Sequence, residues 1–498
     1  MPRLVRTPVP AAVLALMLSA LAVGAQAGTT AGEAPAPPRP DGPLAAGSLR
    51  ATTVRLMEFG ARPVGAPGHD PAASYVGGRF LLGGLKPILT DTFPCPAPAD
   101  RPSGRGAPSE GAACGSVVAF GHALPLADAW SLMKGEAEAF TFAHPPRPDV
   151  EAALAQAARD EGVARMTPFD VFKRPSPLFP QAVVRCLLRR LVRREAGSEA
   201  ADPAARGRVM AGMLRRLARA HEAVLVVAPL DMRPAPRAGR HGADESAALA
   251  VLCGLAQHVV CESPPPRRRT LICAALDGHW RGAAGARSLA AMLGGGGAAR
   301  QEPRRAGNAE PSEDAQLAAL LGPSEAAARA PALAEALEAR PADAALLAEA
   351  EDVLVRLLRL EPYRVRLVAC LDLASGGRNV AVHLAAAGGE EGGAVRQWLA
   401  AAVRRAATRG PAPFAGDATD GEDTVSASET AAVRAQTALA ARGRPAVLLR
   451  TADAPRDRWF TGEDTLERMD FAAVSAQART VAALLEAILA AEDLPAGE

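Results

Sequence analysis

With 498 residues, 49% hydrophobic and 22% charged, the chain has the composition of a globular protein with one large core or two medium ones, which excludes disorder as its main state. The formal net charge of +2 gives no global electrostatic reason for a nucleic acid or an anionic surface as partner, and none is expected. Nearly all the positive charge is arginine, the lysines being Lys86, Lys134 and Lys173, which points to the base composition of the genome more than to function.

The first residues carry Arg3 and Arg6, then an apolar run from Ala11 to Ala25, then Ala25-Gln26-Ala27 before Gly28. A basic start, a short apolar stretch and a small-x-small ending make up a secretory signal peptide over 1–27, so a secreted or periplasmic protein is expected. The competing reading is an uncleaved anchor, for which the run is short against a bilayer core of roughly 30 Å. No Cys follows the cleavage site to carry a lipid, and no later segment reads as a membrane span. Residues 28–47 are rich in Pro, Ala and Gly without periodicity, a flexible spacer, and the folded domain is expected over 48–494.

Ser48 to Leu85 gives two helices around a turn holding Pro63, Gly65, Pro67 and Gly68, and Lys86 to Phe93 reads as a strand. Pro94 to Gly115 reads as loop. Residues 116–180 are poorly readable, with a strand at Ser116 to Phe120 and a helix at Val150 to Glu161. Pro180 to Ala220 gives two arginine-rich helices, whose arginines suit the solvated faces of amphipathic surface helices better than an anionic partner. The centre, Glu222 to Ala290, reads strand, loop, helix, strand, turn. Ala223 to Ala228 and Thr270 to Leu276 are unbroken apolar runs that suit strands buried on both faces of a parallel sheet. Asp244 and Glu245 open the helix between them, where the helix dipole favours negative charge, and Asp231 and Asp277 follow the two strands. The carboxyl ends of strands are where open α/β sheets bind ligands.

Residues 294–360 read as a linker, starting with four consecutive glycines at Gly294 to Gly297, followed by a helical insertion. Arg364 to Ala374 repeats the central pattern, a buried strand ending in an aspartate, here Asp372. Val380 to Leu384 suggests a strand, Gly393 to Thr408 a helix, Pro445 to Arg450 a strand, and Phe471 to Ala491 a last helix. Strands alternating with long helical crossovers predict a three-layer α/β/α sandwich with a mostly parallel central sheet. No internal repeat, GxxxxGK[ST], HExxH or GxSxG pattern is present. Seven cysteines contain no CxxC pair; Cys253, Cys273 and Cys370 sit in apolar runs as core residues, while Cys95 and Cys114 flank a loop that a disulfide could close or leave open.

Five stretches, in this order, resemble the co-catalytic zinc exopeptidases of metallopeptidase family 28, which includes aminopeptidases, glutamate carboxypeptidases and the transferrin receptor ectodomain. They are ARPVGAPGHDPAASYVGGRFLLGGL, VLVVAPLD with GADESAALAVL, RRRTLICAALDGHWRGAAGARSLA, LVACLDLAS and GRPAVLLRTADAPRDRWFTGEDTLERMD. The resemblance implies an aminopeptidase fold over nearly the whole chain. In that family two zinc ions are held by a His, a bridging Asp, a Glu, a second Asp and a final His, and a Glu beside the Glu ligand is the general base. Asp244 falls on the bridging Asp and Asp372 on the second Asp. Pro229 stands at the first His, His279 at the general base, Trp280 at the Glu ligand and Phe460 at the final His. Proline and phenylalanine have no side-chain lone pair to offer, and indole is only a donor, so Asp244 and Asp372 are read as vestiges of a metal site.

No cofactor is therefore expected, and the chain reads as a homologue without hydrolytic activity that binds an unknown peptide or protein ligand or serves as a scaffold. The alternative is an active zinc aminopeptidase or related enzyme whose ligands are re-supplied by neighbours such as His241, Glu245 and His383. A plainer reading is an α/β domain unrelated to the family. Asp231, Asp244, Asp277 and Asp372 are expected at one sheet edge, although Asp231 and Asp277 equally suit loop caps. Without metal, facing carboxylates need a proton or a cation, for which His279 and Arg281 are the expected sources, with Trp280 filling vacated space.

Overall fold

The computed structural model describes residues 42–60, 62–63, 66–94, 113–141, 147–232, 242–262, 267–279, 281–294, 312–321, 324–359, 361–385, 390–409, 411, 414–415, 431–441, 444–452, 464–492 and 494, all within the compact unit Asp41–Glu498. The expected signal peptide over 1–27, residues 28–41 of the expected spacer, the glycines 295–297, Cys95, His241, Trp280 and Phe460 lie outside the described residues.

In chain order the first elements are α1 (Ala46–Glu58), α2 (His69–Leu82), β1 (Ile88–Pro94), β2 (Ala113–Gly121), α3 (Leu124–Thr141) and α4 (Pro148–Asp160). Then come α5 (Pro168–Phe172), α6 (Gln181–Ala196), α7 (Pro203–Ala220), β3 (Glu222–Pro229), α8 (Ala243–Gln257) and β4 (Thr270–Leu276). Next are α9 (Ala284–Leu293), α10 (Glu313–Leu321), α11 (Glu325–Ala339), α12 (Ala344–Leu358) and β5 (Arg364–Asp372). The chain ends with β6 (Val380–Ala385), α13 (Glu390–Ala407), β7 (Phe414–Ala415), α14 (Ala431–Ala440), β8 (Ala446–Thr451) and α15 (Phe471–Ala490).

One eight-stranded sheet has the order β1-β2-β4-β3-β5-β8-β6-β7. Its centre, β4-β3-β5-β8, is parallel, with Ala223 opposite Thr270 and Val368 opposite Ala446. The two central apolar runs are thus neighbours in one sheet, as the sequence requires. The flanks reverse direction: β1, β2 and β4 pair antiparallel, and so do β6 and β8. A mixed α/β fold with a parallel centre is the result.

Because side chains alternate along a strand, the sheet feeds two cores. Leu225, Val227, Ile272, Ala274, Val368 and Cys370 enter one, together with Leu187, Leu214, Leu289, Leu333 and Leu354 from helices. Val224, Val226, Leu271, Cys273, Leu367 and Ala369 enter the other, with Leu56, Phe80, Leu252, Leu399 and Leu484. Residues 116–180, barely legible in the sequence, supply α3, α4 and α5 to the first core, and α3 buries Leu126, Ala129, Met133, Ala137 and Phe140 at helical spacing. The spacer ends sooner than expected. Leu44 is buried in the second core, its carbonyl accepts from Ser475 Oγ, and α1 begins at Ala46. Among the described residues only α15 is long and apolar enough to cross a membrane, and most of it is buried inside the domain.

The arginines of α6 and α7 answer local carboxylates: Arg189 meets Glu351, Arg194 meets Glu136, Arg215 meets Glu338 and Arg216 meets Glu195. The first of these carboxylates lies on α12 and the third on α11, so the helices of 325–358 dock on α6 and α7. Their approach is close at Gly207, where a Cβ would run into the Pro341 carbonyl.

Candidate functional site at the carboxyl edge of the parallel strands

The parallel strands deliver Pro229, Asp277, Asp372 and Arg450 to the same edge of the sheet. β3 ends in Pro229 opposite Leu276, and Asp372 ends β5 directly opposite Arg450 on β8. The runs Ala223–Ala228 of β3 and Leu367–Leu371 of β5 are apolar because each face meets a core, so at this end polar chemistry starts only where the runs stop.

Asp277 is fully buried and internally satisfied. Its Oδ2 accepts from the Gly115 N–H at 2.7 Å, its Oδ1 accepts from Gly278 N–H at 2.7 Å, and His69 Nε2 lies 3.0 Å from Oδ1. Burial by itself lowers the pKa of His69, but the carboxylates of Asp277 and then Asp70 outweigh it and push His69 up to about 9. His69 is therefore a cation at neutral pH, and Asp277 serves as a loop anchor rather than a site group. Nothing in the sequence singled out His69 beyond its place in the GHD turn.

Asp231 is also buried and accepts from the His279 backbone N–H at 3.0 Å. Arg62, equally hidden, lies behind it. Its guanidinium donates to the carbonyls of Leu56 at 2.7 Å and Leu230 at 3.3 Å and to Ser246 Oγ at 2.9 Å. Burial lowers Arg62 to about 10, with Glu245 and Asp231 opposing the fall. This arginine ties the turn after α1 to the end of β3 and to the first turn of α8.

Asp244 stands in that first turn, half-buried. Its backbone N–H donates to Asp464 Oδ1 at 2.9 Å, and its own Oδ1 accepts from the Ser375 N–H at 2.8 Å. The second contact brings Asp244 to the loop that directly follows Asp372. Asp372, 4% exposed, has Arg450 Nε 3.4 Å from its Oδ2. A cation beside it thus comes from the neighbouring strand. His279 is unsuited to that part: burial first, and the positive charge of Arg434 second, hold its pKa down at about 3, so the ring is neutral.

Of the residues named as replacement ligands, His241 lies outside the described residues, and the other two, Glu245 and His383, are not brought together. Glu245 lies toward Arg62. His383 is on β6 opposite Leu448, whereas Asp372 is level with Arg450 and Ala381. Two strand spacings put His383 on the order of 10 Å to the side of Asp372. Pro229 has no donor atom in its side chain. With Asp372 held by a guanidinium and Asp244 Oδ1 engaged by Ser375, the described residues do not make up a zinc pair's ligand set, and none of them form a group of three His, Cys, Asp or Glu placed to hold a metal ion.

Neither a protein-family model nor a curated protein matches the chain. Among solved structures it is similar to a glutaminyl cyclase of Fimbriiglobus ruber, at 13% identity and TM-score 0.42, over 92% of this chain and 99% of that one. It is similar to a leucine aminopeptidase precursor of Bacteroides thetaiotaomicron, at 12% identity and TM-score 0.37, over 89% and 97% of the two chains. A zinc-dependent exopeptidase of Parabacteroides distasonis is similar at 11% identity and TM-score 0.36, over 88% and 97%.

Proposed function

We propose that the chain is a divergent three-layer α/β/α domain of the zinc-exopeptidase type, exported by its signal peptide, in which the metal centre is vestigial and the carboxyl edge of the sheet binds a peptide or protein, or serves as a scaffold. The observation that carries this reading is the Arg450–Asp372 ion pair. A buried carboxylate must be neutralised by a proton, a metal or a protein cation, because desolvation penalises the bare charge. Here the cation is covalently part of the sheet, in register with the carboxylate, and a metal at Asp372 would have to displace it and strand it in a half-buried place. His279 supports the same reading, since a general base held near 3 by burial is far too weak to take a proton from water at neutral pH.

The test is elemental analysis of the purified protein, combined with assays on aminopeptidase and N-terminal glutaminyl substrates with and without chelator. Far less than one zinc per chain, no turnover and a melting temperature indifferent to chelator are expected. Close to two zinc ions per chain with chelator-sensitive turnover would overturn the reading in favour of an active zinc exopeptidase or cyclase with re-supplied ligands.

A further inference from the structure

Among the described residues β1 is an edge of the eight-stranded sheet, paired with β2 alone. In an antiparallel ladder every second residue turns its N–H and C=O away from the neighbour. On β1 the outward set is Ile88, Thr90 and Thr92, since the N–H groups of Thr90 and Thr92 point away from β2. They are not left to water. Thr90 N–H donates to Glu313 Oε2 at 2.8 Å and Thr92 N–H to Asp314 Oδ1 at 2.6 Å, both acceptors standing in the first turn of α10, 223 and 222 residues away in sequence. The remainder of α10 is anchored: Leu317, Leu320 and Leu321 are buried in the first core, and the Leu320 carbonyl accepts from Tyr363 N–H at 2.7 Å. An anchored helix thus presents two carboxylate oxygens at the spacing at which a neighbouring strand would present two carbonyls.

We propose that Glu313 and Asp314 are a seal on the sheet edge, and that what they keep out is β1 of a second copy of this chain. The proposal is independent of the metal-site reading. An unsealed edge is a template for strand addition, and antiparallel addition of a strand to itself obeys two-fold symmetry. Two registers centre on the middle of the strand, one on Asp91 and one on Thr90. A two-fold axis at Asp91 would set its buried carboxylate opposite its own copy, which like charge disfavours. An axis at Thr90 sets Thr90 opposite Thr90, Ile88 opposite Thr92 and Leu89 opposite Asp91, with no like charges facing. The second register is the one the seal blocks.

The test compares the full chain with E313A/D314A and with E313Q/D314N, which keeps an acceptor oxygen at each place. Amide exchange at Thr90 and Thr92 is expected to be about tenfold faster or more in E313A/D314A, the scale of losing a hydrogen bond to a charged acceptor, and nearer native in E313Q/D314N. The alanine variant is also expected to gain mass with concentration in light scattering, and adding Thr90→Pro, which deletes the central outward N–H without touching β2, should abolish that gain. Circular dichroism establishes that each variant is folded. Exchange at both amides within twofold of native in folded E313A/D314A, an unchanged mass, or association that persists with Thr90→Pro would each overturn the proposal. Should the alanine variant not fold, native-like Thr90 and Thr92 exchange in the Glu313→Lys/Asp314→Lys variant, which offers no acceptor, would overturn it equally.

Discussion

Replacing His69 by Gln removes the cation from the buried contact with Asp277 and should change how stability depends on pH. The side chains involved are 6% and 0% exposed, so solvent screens the contact weakly. A rise from 6.5 to about 9 corresponds to about 3 kcal/mol at ~1.4 kcal/mol per unit. Asp70, 98% exposed, contributes little of it, and about 2 kcal/mol belongs to His69 with Asp277. Because the folded pKa lies above the unfolded one, the stabilisation is fully present below 6.5 and is lost as pH rises through 9. His122 and His279 have the opposite sign, lowered to about 4 and about 3 chiefly by burial. Their contributions are present above 6.5 and lost on acidification, so they stay level in this window and are common to both proteins. Urea unfolding of the native protein and of His69→Gln at pH 6.5 and 9.5 is the assay. The stability difference should shrink by about 2 kcal/mol between the two pH values, and Asp277→Asn should show the same collapse. A difference constant to within about 0.5 kcal/mol would refute the charged pair.

Arg450→Leu should destabilise by about 3 kcal/mol because it removes the guanidinium paired with the buried Asp372, while Arg450→Leu with Asp372→Leu should regain most of that loss in chemical denaturation; a double variant as unstable as the single one would count against the pairing. Asp244→Asn should cost less than about 1 kcal/mol, since the amide oxygen can still accept from Ser375 N–H, and a larger loss on unfolding would show that the charge itself is needed. Arg62→Lys should cost about 2 kcal/mol, because one ammonium cannot reach both carbonyls and Ser246 Oγ as the planar fork does, and a melting profile equal to the native one would contradict this account.

The strands that build the edge were legible because their central residues are buried on both faces. β3, β4 and β5 are runs of Val, Leu, Ile and Ala whose both faces meet cores, and such runs announce themselves without any knowledge of neighbours. α3 was not legible: Pro125 near its start and Gly135 inside it blur an otherwise regular apolar spacing, and only packing against α6 and α7 settles it. α14 and the two-residue β7 were missed as well, the first in an alanine-rich stretch with little contrast between faces. At the edge the sequence placed Asp244 near the Asp372 loop through the order of motifs. It gave no access to Arg450 or His69, because their partners are assigned by strand register and by the docking of α2, neither of which has a local signature. The expectation that His279 supplies charge failed for a related reason, since full burial of a histidine cannot be read from a turn.

The docking of α10, α11 and α12 bears on what can be cut away. By sequence these helices look like an insert that a shorter relative could lack, yet Leu317, Leu333, Leu337, Leu354 and Leu357 share one apolar interior with the sheet, and Gly207 lets the Pro341 turn press against α7. Trp130 on α3 even donates its indole N–H to the Leu358 carbonyl at 2.8 Å. Excising 313–358 and rejoining the ends would therefore uncover α7 and the apolar residues of the first core that pack against these helices, and the minimal folding unit is the long chain rather than a trimmed one.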